Sequence, residues 1–441
     1  MRVDLTSNPR GARDRERLQG RLGALLVAQF LGAFNANALR FAIALLGVAS
    51  VTTGLPPEDR VAAAQTGMTI AFAVFTLPMV LVSIPAGILA DRLNKRSVII
   101  ATKVLELVLM LIAIPVLHSD PSGGFFSLCL LASMGAQSAL FSPAKYGILP
   151  EILSERELSA GNGLLEMWTF LAIIAGTYAG GAIVWVVGEN TALIGVTFAL
   201  LSVAGVAAAV RVPRVVSSTA RGGIGATWGI AWSTVRSDRL LRFAVLGTVG
   251  FWALASLVSQ DILVYSRFVL GLSEGAATVP LAVLGIGIGA GSFVAGRLAG
   301  DASLDPVEYG LIPAGAVGIA VTCSLLGFVG PGFVGTLALM IPLGVASGML
   351  AIPLNVIVQW RSPSARRGAV IALSNTFVFA GVLGGSFAAD ALSRMGLSPT
   401  QILVSAAAMA LVGAAAASTQ IPGALRALVR RCARRLSGEE P

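Results

Sequence analysis

The chain has 441 residues, of which 56% are hydrophobic and 12% charged, with 51 glycines and a formal net charge of +9. An ordinary soluble domain carries roughly 25% charged residues, so the composition excludes a water-soluble globule. A mean hydropathy of +0.84 indicates an all-α polytopic membrane protein, since a spanning helix needs about 20 apolar residues. The glycine content agrees, because helices in lipid associate through close packing of small residues.

Taken in order, an arginine-rich segment over 1–21 precedes a first apolar run at 22–49. No small-residue cleavage site follows that run, which reads as a retained helix rather than a signal peptide. Further windows fall at 66–88, 97–117, 125–144, 161–187 and 191–210, completing a six-helix half over 22–210. A polar linker covers 211–240. Within it Trp228 and Trp232, four apart beside Arg236 and Arg239, predict an amphipathic helix on the membrane surface. Six more windows at 241–265, 276–299, 308–329, 333–356, 368–391 and 400–420 form a second half over 241–420, followed by a basic tail over 421–441.

The basic residues write the topology. Of 31 lysines and arginines, 26 fall in the tails or in loops on the same side as the tails, three on the opposite side (Arg60, Arg267, Arg394) and two inside spans (Arg40, Lys103). The positive-inside rule then places both termini and the linker in the cytoplasm. Membrane lipid headgroups, not nucleic acid, are the partners this charge implies. Cys129, Cys323 and Cys432 are too scattered for a disulfide framework or a metal cluster. No metal site and no cofactor are expected. Neither G-x-S-x-G nor a phosphate-cradling P-loop occurs, and His118 stands without the acid of an acyltransferase motif, so the chain reads as a transporter and not an enzyme.

The halves echo each other. Ala90-Asp91-Arg92-Leu93 recurs as Ala295-Gly296-Arg297-Leu298, and Pro143-Ala144-Lys145 as Pro353-Leu354-Asn355, as parallel six-helix repeats would. The run from Gly87 through Asp91, Arg92, Leu93, Asn94 and Lys95 to Arg96 resembles the loop between the second and third helices of the major facilitator superfamily. Its glycine permits close helix approach, and its acid and bases can pair with helix ends of the other half, making Asp91 and Arg92 gating candidates. Val27 to Arg40 on the first span, Ser142-Pro143-Ala144-Lys145-Tyr146-Gly147-Ile148-Leu149-Pro150-Glu151, Asn162-Gly163-Leu164-Leu165-Glu166, Phe251-Trp252 and Pro353-Leu354-Asn355 narrow the resemblance to the bacterial lysophospholipid transporters.

That resemblance implies twelve transmembrane helices in the major facilitator fold. It also implies transport of lysophosphatidylethanolamine and lysophosphatidylglycerol from the outer to the inner leaflet of the bacterial inner membrane, by a flippase or symporter coupled to sodium or protons. A monomer is expected, with a separate acyltransferase acting downstream, because this chain ends after the twelfth span. One departure stands out: the family usually has N-D-N or G-D-N where this chain has Asn35-Ala36-Asn37, so an expected intramembrane carboxylate is replaced by Ala36.

Charges inside spans are costly and therefore functional candidates. Lys103 and Glu106, three apart on one helix face, can pair. With Arg40, Glu166 and Asp261, and the polar Gln29, Asn35, Asn37, Gln137 and Asn355, they supply both signs needed by a zwitterionic headgroup: Arg40 or Lys103 for phosphate, and Glu106, Glu166 or Asp261 for the amine or the coupling cation. Lys145, at the end of the predicted fourth span, is a further gating candidate. A proton-coupled exporter of drugs or small metabolites is the alternative of the same class; a lipid-modifying enzyme and a non-transporting sensor are alternatives of other classes.

Overall fold

The computed structural model describes residues 9–53, 56–188, 190–215, 224–272, 274–300 and 307–437. Among them there is no strand; lipid favours this, since a helix satisfies its backbone polar groups within itself. The first half comprises α1 (Pro9–Thr52), α2 (Pro57–Arg92), α3 (Lys95–Ser119), α4 (Phe125–Ile152), α5 (Glu155–Val187) and α6 (Ala192–Val210). A linker helix, α7 (Ile224–Ser237), leads to α8 (Arg239–Phe268), the short α9 (Glu274–Ala277), α10 (Val279–Gly300), α11 (Leu311–Val329), α12 (Phe333–Arg361), α13 (Arg367–Arg394), α14 (Pro399–Gln420) and a final α15 (Ala424–Ser437). Twelve of these helices, α1 to α6, α8 and α10 to α14, are long and apolar enough to cross a membrane, one for each predicted window.

Side chains set the helix starts. Asp238 accepts from the N–H groups of Leu240 and Leu241 at 2.9 and 3.0 Å at the head of α8. Capping boxes pair Ser154 with Glu157 before α5 and Ser398 with Gln401 before α14. Two helices outrun their windows: α4 continues to Ile152 and α12 to Arg361, carrying Lys145 and Gln359 inside the bundle instead of leaving them at its ends. The basic tail after 420 folds as α15, whose apolar Leu428 is buried against Gly310 while Arg431 pairs with Glu308 at the head of α11.

Within the first half α1 packs on α5, α2 on α4 and α3 on α6; within the second, α8 packs on α13, α10 on α12 and α11 on α14. The halves meet along two seams, α2 against α13 and α5 against α10. One apolar core runs through both halves and includes Ile99, Ile148, Leu354 and Ile371, whereas a second, around Leu39, Met110, Leu131 and Phe198, belongs to the first half alone. The linker helix rests on the bundle itself. It packs on α13, α8 and α2, with Trp228 and Trp232 set 6.1 and 5.9 Å from the Phe377 ring.

Candidate functional site: a two-signed cavity closed at one end

Between the halves lies a cavity of about 370 Å³. The first helix presents Gln29, Ala36, Asn37 and Arg40 to it. Asn37 is held by its own helix, Nδ2 donating to the Ala33 carbonyl at 2.7 Å, which turns Oδ1 toward Arg40 Nη2 at 2.8 Å. The Arg40 guanidinium lies 5.6 Å from the Phe72 ring centre and 5.4 Å from that of Phe75. Aromatic faces partly offset its charge without consuming it, and among the described residues no carboxylate pairs with it. Gln29 Nε2 donates to Thr169 Oγ1 at 2.8 Å, tying α1 to α5.

On α3, Lys103 Nζ and Glu106 Oε2 pair at 2.7 Å, both side chains buried. The ammonium fits because Gly32 on α1 has no Cβ to fill that space, and it also lies 4.9 Å from the Phe141 ring. Asn35 Nδ2 is shared among Glu106 Oε1 at 3.2 Å, Ser202 Oγ at 3.0 Å and the Phe198 carbonyl at 3.2 Å. Asn35 Oδ1 is buried and has no hydrogen-bond partner among the described residues. A buried pair of this kind punishes loss of either member, because the survivor is an uncompensated charge. Gln137 is spent structurally as well as on the lining, its Nε2 donating to the Thr102 carbonyl at 2.9 Å.

Lys145 is not a residue of the helix end. It sits about two turns inside α4 and lines the cavity, its Nζ 4.3 Å from the Tyr146 ring. Glu151, in the last turn of α4, is taken by the buried Lys95. Glu166 is buried and accepts a 2.5 Å bond from the Tyr146 hydroxyl. Asn355 lines the cavity from α12. Asp261 is brought to none of these residues: it is buried in the second half outside the lining, and among the described residues its Oδ2 has no hydrogen-bond partner.

Four residues were not legible as site residues. Phe72 and Phe75 read as ordinary apolar positions of a span, Gln359 falls three residues beyond its window and Asn375 seven residues inside its own, with no motif around either. In the structure Asn375 Nδ2 donates to Ser142 Oγ at 3.0 Å across the halves, and Gln359 exchanges bonds with Asn162 at 2.7 and 3.1 Å.

These crossings gather at the end of the bundle that carries the linker. Asp91, at the last turn of α2, accepts from the N–H groups of Gly368 and Ala369 at 2.6 and 2.7 Å and so caps the start of α13. Gly87, one turn earlier, rests on α13; a Cβ there would meet the Gly368 carbonyl at 2.6 Å. Arg92 beside it is exposed, so the cross-seam contact belongs to Asp91. The rest of the motif braces the first half: Lys95 pairs with Glu151, and Arg96 donates to the carbonyls of Val212 and Val210 at 2.7 and 2.6 Å, closing the end of α6. At the other seam Gly163 faces Gly296, whose Cβ would meet the Ser159 carbonyl at 2.8 Å.

Two six-helix halves around a charged cavity, joined at one end by contacts that two rigid bodies can make and break, define a secondary transporter of the multi-pass membrane class. Comparison with known proteins gives the same class. The Major Facilitator Superfamily matches residues 25–389. The lysophospholipid transporter LplT of Serratia proteamaculans is 30% identical over 83% of this chain and 87% of its own, and that of Cronobacter sakazakii 31% identical over 80% and 83%. Among solved structures, the human organic anion transporter MFSD10 shares the fold at a TM-score of 0.73 and 13% identity, covering 91% of this chain and 99% of its own. The Escherichia coli fucose:proton symporter FucP does so at 0.69 and 15%, covering 90% and 98%. The chain belongs to the major facilitator superfamily and, within it, to the lysophospholipid transporter family.

Proposed function

We propose that this protein moves lysophospholipids from the outer to the inner leaflet of a bacterial inner membrane by alternating access, with the linker face and both termini in the cytoplasm. The observation that carries the reading is the cavity's pairing of signs: unpaired Arg40 beside Asn37, and the Lys103–Glu106 pair backed by Asn35. A phosphodiester matches arginine and lysine donors. The aromatic wall of Phe72, Phe75 and Phe141 suits the glycerol and the first methylenes of the chain. The family relatives named as lysophospholipid transporters support the same substrate. The protein works as a monomer, and a separate acyltransferase uses the delivered lipid.

Coupling to sodium or protons is assigned to Glu106. With Ala36 in place of a carboxylate, Glu106 is the acid that lines the cavity on the same side as α1, and Lys103 is its standing counter-ion. A substrate phosphate that draws Lys103 and Arg40 toward itself leaves Glu106 without a cation. A sodium ion or proton then restores neutrality in the low-dielectric site, so substrate and ion bind together.

The test is uptake of labelled lysophosphatidylethanolamine by proteoliposomes, with sodium and proton gradients imposed separately and Arg40→Ala and Ala36→Asp run alongside. The expected outcome is saturable uptake stimulated by one gradient and reduced at least about tenfold in Arg40→Ala. Absence of lysolipid flux in both the parent and Ala36→Asp would overturn the substrate assignment.

A further inference from the structure

The second half carries another cavity, of about 470 Å³, separate from the central one and set between α8 and α14, with α11 and α12 forming its floor. Its size is that of a ligand pocket, for which about 300–1,000 Å³ is usual. The walls are apolar, with Leu246, Leu254, Leu350 and Met409 among them. Leu246 is 65% and Val412 71% exposed, so the groove opens sideways, toward the hydrocarbon of the bilayer. Gly250 and Gly413 leave it wide: a Cβ at either would meet nothing within 4 Å.

The groove is polar at one end only. Arg239, Arg242 and Gln420 stand at its mouth, on the face that carries the linker. Arg239 Nε donates to Gln420 Oε1 at 2.8 Å, and Arg242 Nη1 to the Arg236 carbonyl at 3.0 Å. Both acceptors are neutral, and among the described residues no carboxylate pairs with either arginine. The neighbouring Asp238 does not neutralise them, being committed to Arg361 at 2.7 Å and to the head of α8. Burial alone would raise its pKa, but the Leu241 N–H, the Arg361 guanidinium and the Leu240 N–H hold the carboxyl below the usual range.

From this geometry we infer that the α8/α14 groove is a binding site for a diacyl anionic phospholipid of the linker-side leaflet, with one acyl chain between Gly250 and Gly413 and the phosphate on Arg239 and Arg242. Charge complementarity selects the occupant: two arginines at headgroup depth above an apolar slot match a phosphodiester on an acyl chain, as basic pockets between transmembrane helices do for anionic lipids. The site lies apart from the transport cavity and does not depend on what passes through it.

The experiment is photolabelling of the full chain in phosphatidylcholine liposomes with a trace of phosphatidylglycerol carrying a diazirine in one acyl chain, with labelled peptides mapped by mass spectrometry. Label is expected on segments 243–254 and 409–416, competed by unlabelled dioleoyl phosphatidylglycerol and not by dioleoyl phosphatidylcholine. It is expected to fall about tenfold or more in Arg239→Gln/Arg242→Gln, and likewise in Gly250→Leu/Gly413→Leu, which fills the slot. Melting in detergent identifies which variants are folded, and either folded pair decides. Label spread evenly over the lipid-facing helices, or undiminished in a folded variant, overturns the site. Competition by lysophosphatidylglycerol but not by the diacyl lipid overturns the assigned occupant.

Discussion

At the α2/α13 seam the Asp91 carboxylate receives two backbone N–H groups, while at the α5/α10 seam the corresponding residue of the repeat is Gly296, which lies bare against Ser159 and Gly163. The first contact is polar and each side can be rehydrated when the halves part. The second leaves no polar group wanting and lets two backbones touch and slide. The difference gives the closure at the linker end a latch on one flank and a pivot on the other, although the two halves share one helical plan.

That division can be broken. Filling the pivot is expected to have the largest effect: in Gly163→Leu the new side chain runs into the Ser292 carbonyl, and overpacking of about 1–3 kcal/mol falls wholly on the closed state. Lysolipid uptake should drop to background, and spin labels across α5 and α10 should report a wider separation; unchanged uptake would end the pivot assignment. Next is Asp91→Asn, which keeps one acceptor oxygen but removes the charge from the two bonds, a loss of about 1–2 kcal/mol. The closed population should fall by about fivefold to thirtyfold, seen as longer α2 to α13 distances, with α5 to α10 distances nearly constant. Equal lengthening at both seams would mean that no latch is distinguishable from a pivot. The smallest effect is expected between them, at Asn162 and Gln359, where a double-mutant cycle with alanine should give a coupling of about 1 kcal/mol in thermal melts, and a coupling near zero would show the pair to be incidental.

The twelve spans were legible because apolar length is a one-dimensional property, and so was the two-half plan, because charge bias and the Ala90–Leu93 echo survive in the chain. The pairing of Lys103 with Glu106 followed from their spacing on one helix. What failed to show was rotation and depth. Asp261 reads like any other charge inside a span, yet α8 turns it away from the cavity. Lys145 reads as terminal because the hydrophobic window stops at 144, whereas α4 runs on to Ile152 with Lys145, Gly147, Ile148 and Leu149 buried. Phe72 and Phe75 carry no mark that separates an aromatic facing a guanidinium from one facing lipid.

The stacking of Trp228 and Trp232 on Phe377 has a consequence for how motion can be watched. These indoles of α7 pack on Phe377 of α13, and α7 also touches α2, while Trp185 stands near the far end of α5. Parting of α2 from α13 changes the polarity around the indoles even if their own contact with Phe377 persists. The linker helix thus gives the transporter an intrinsic fluorophore at its moving edge, whose emission can time the opening of the latch without any label attached.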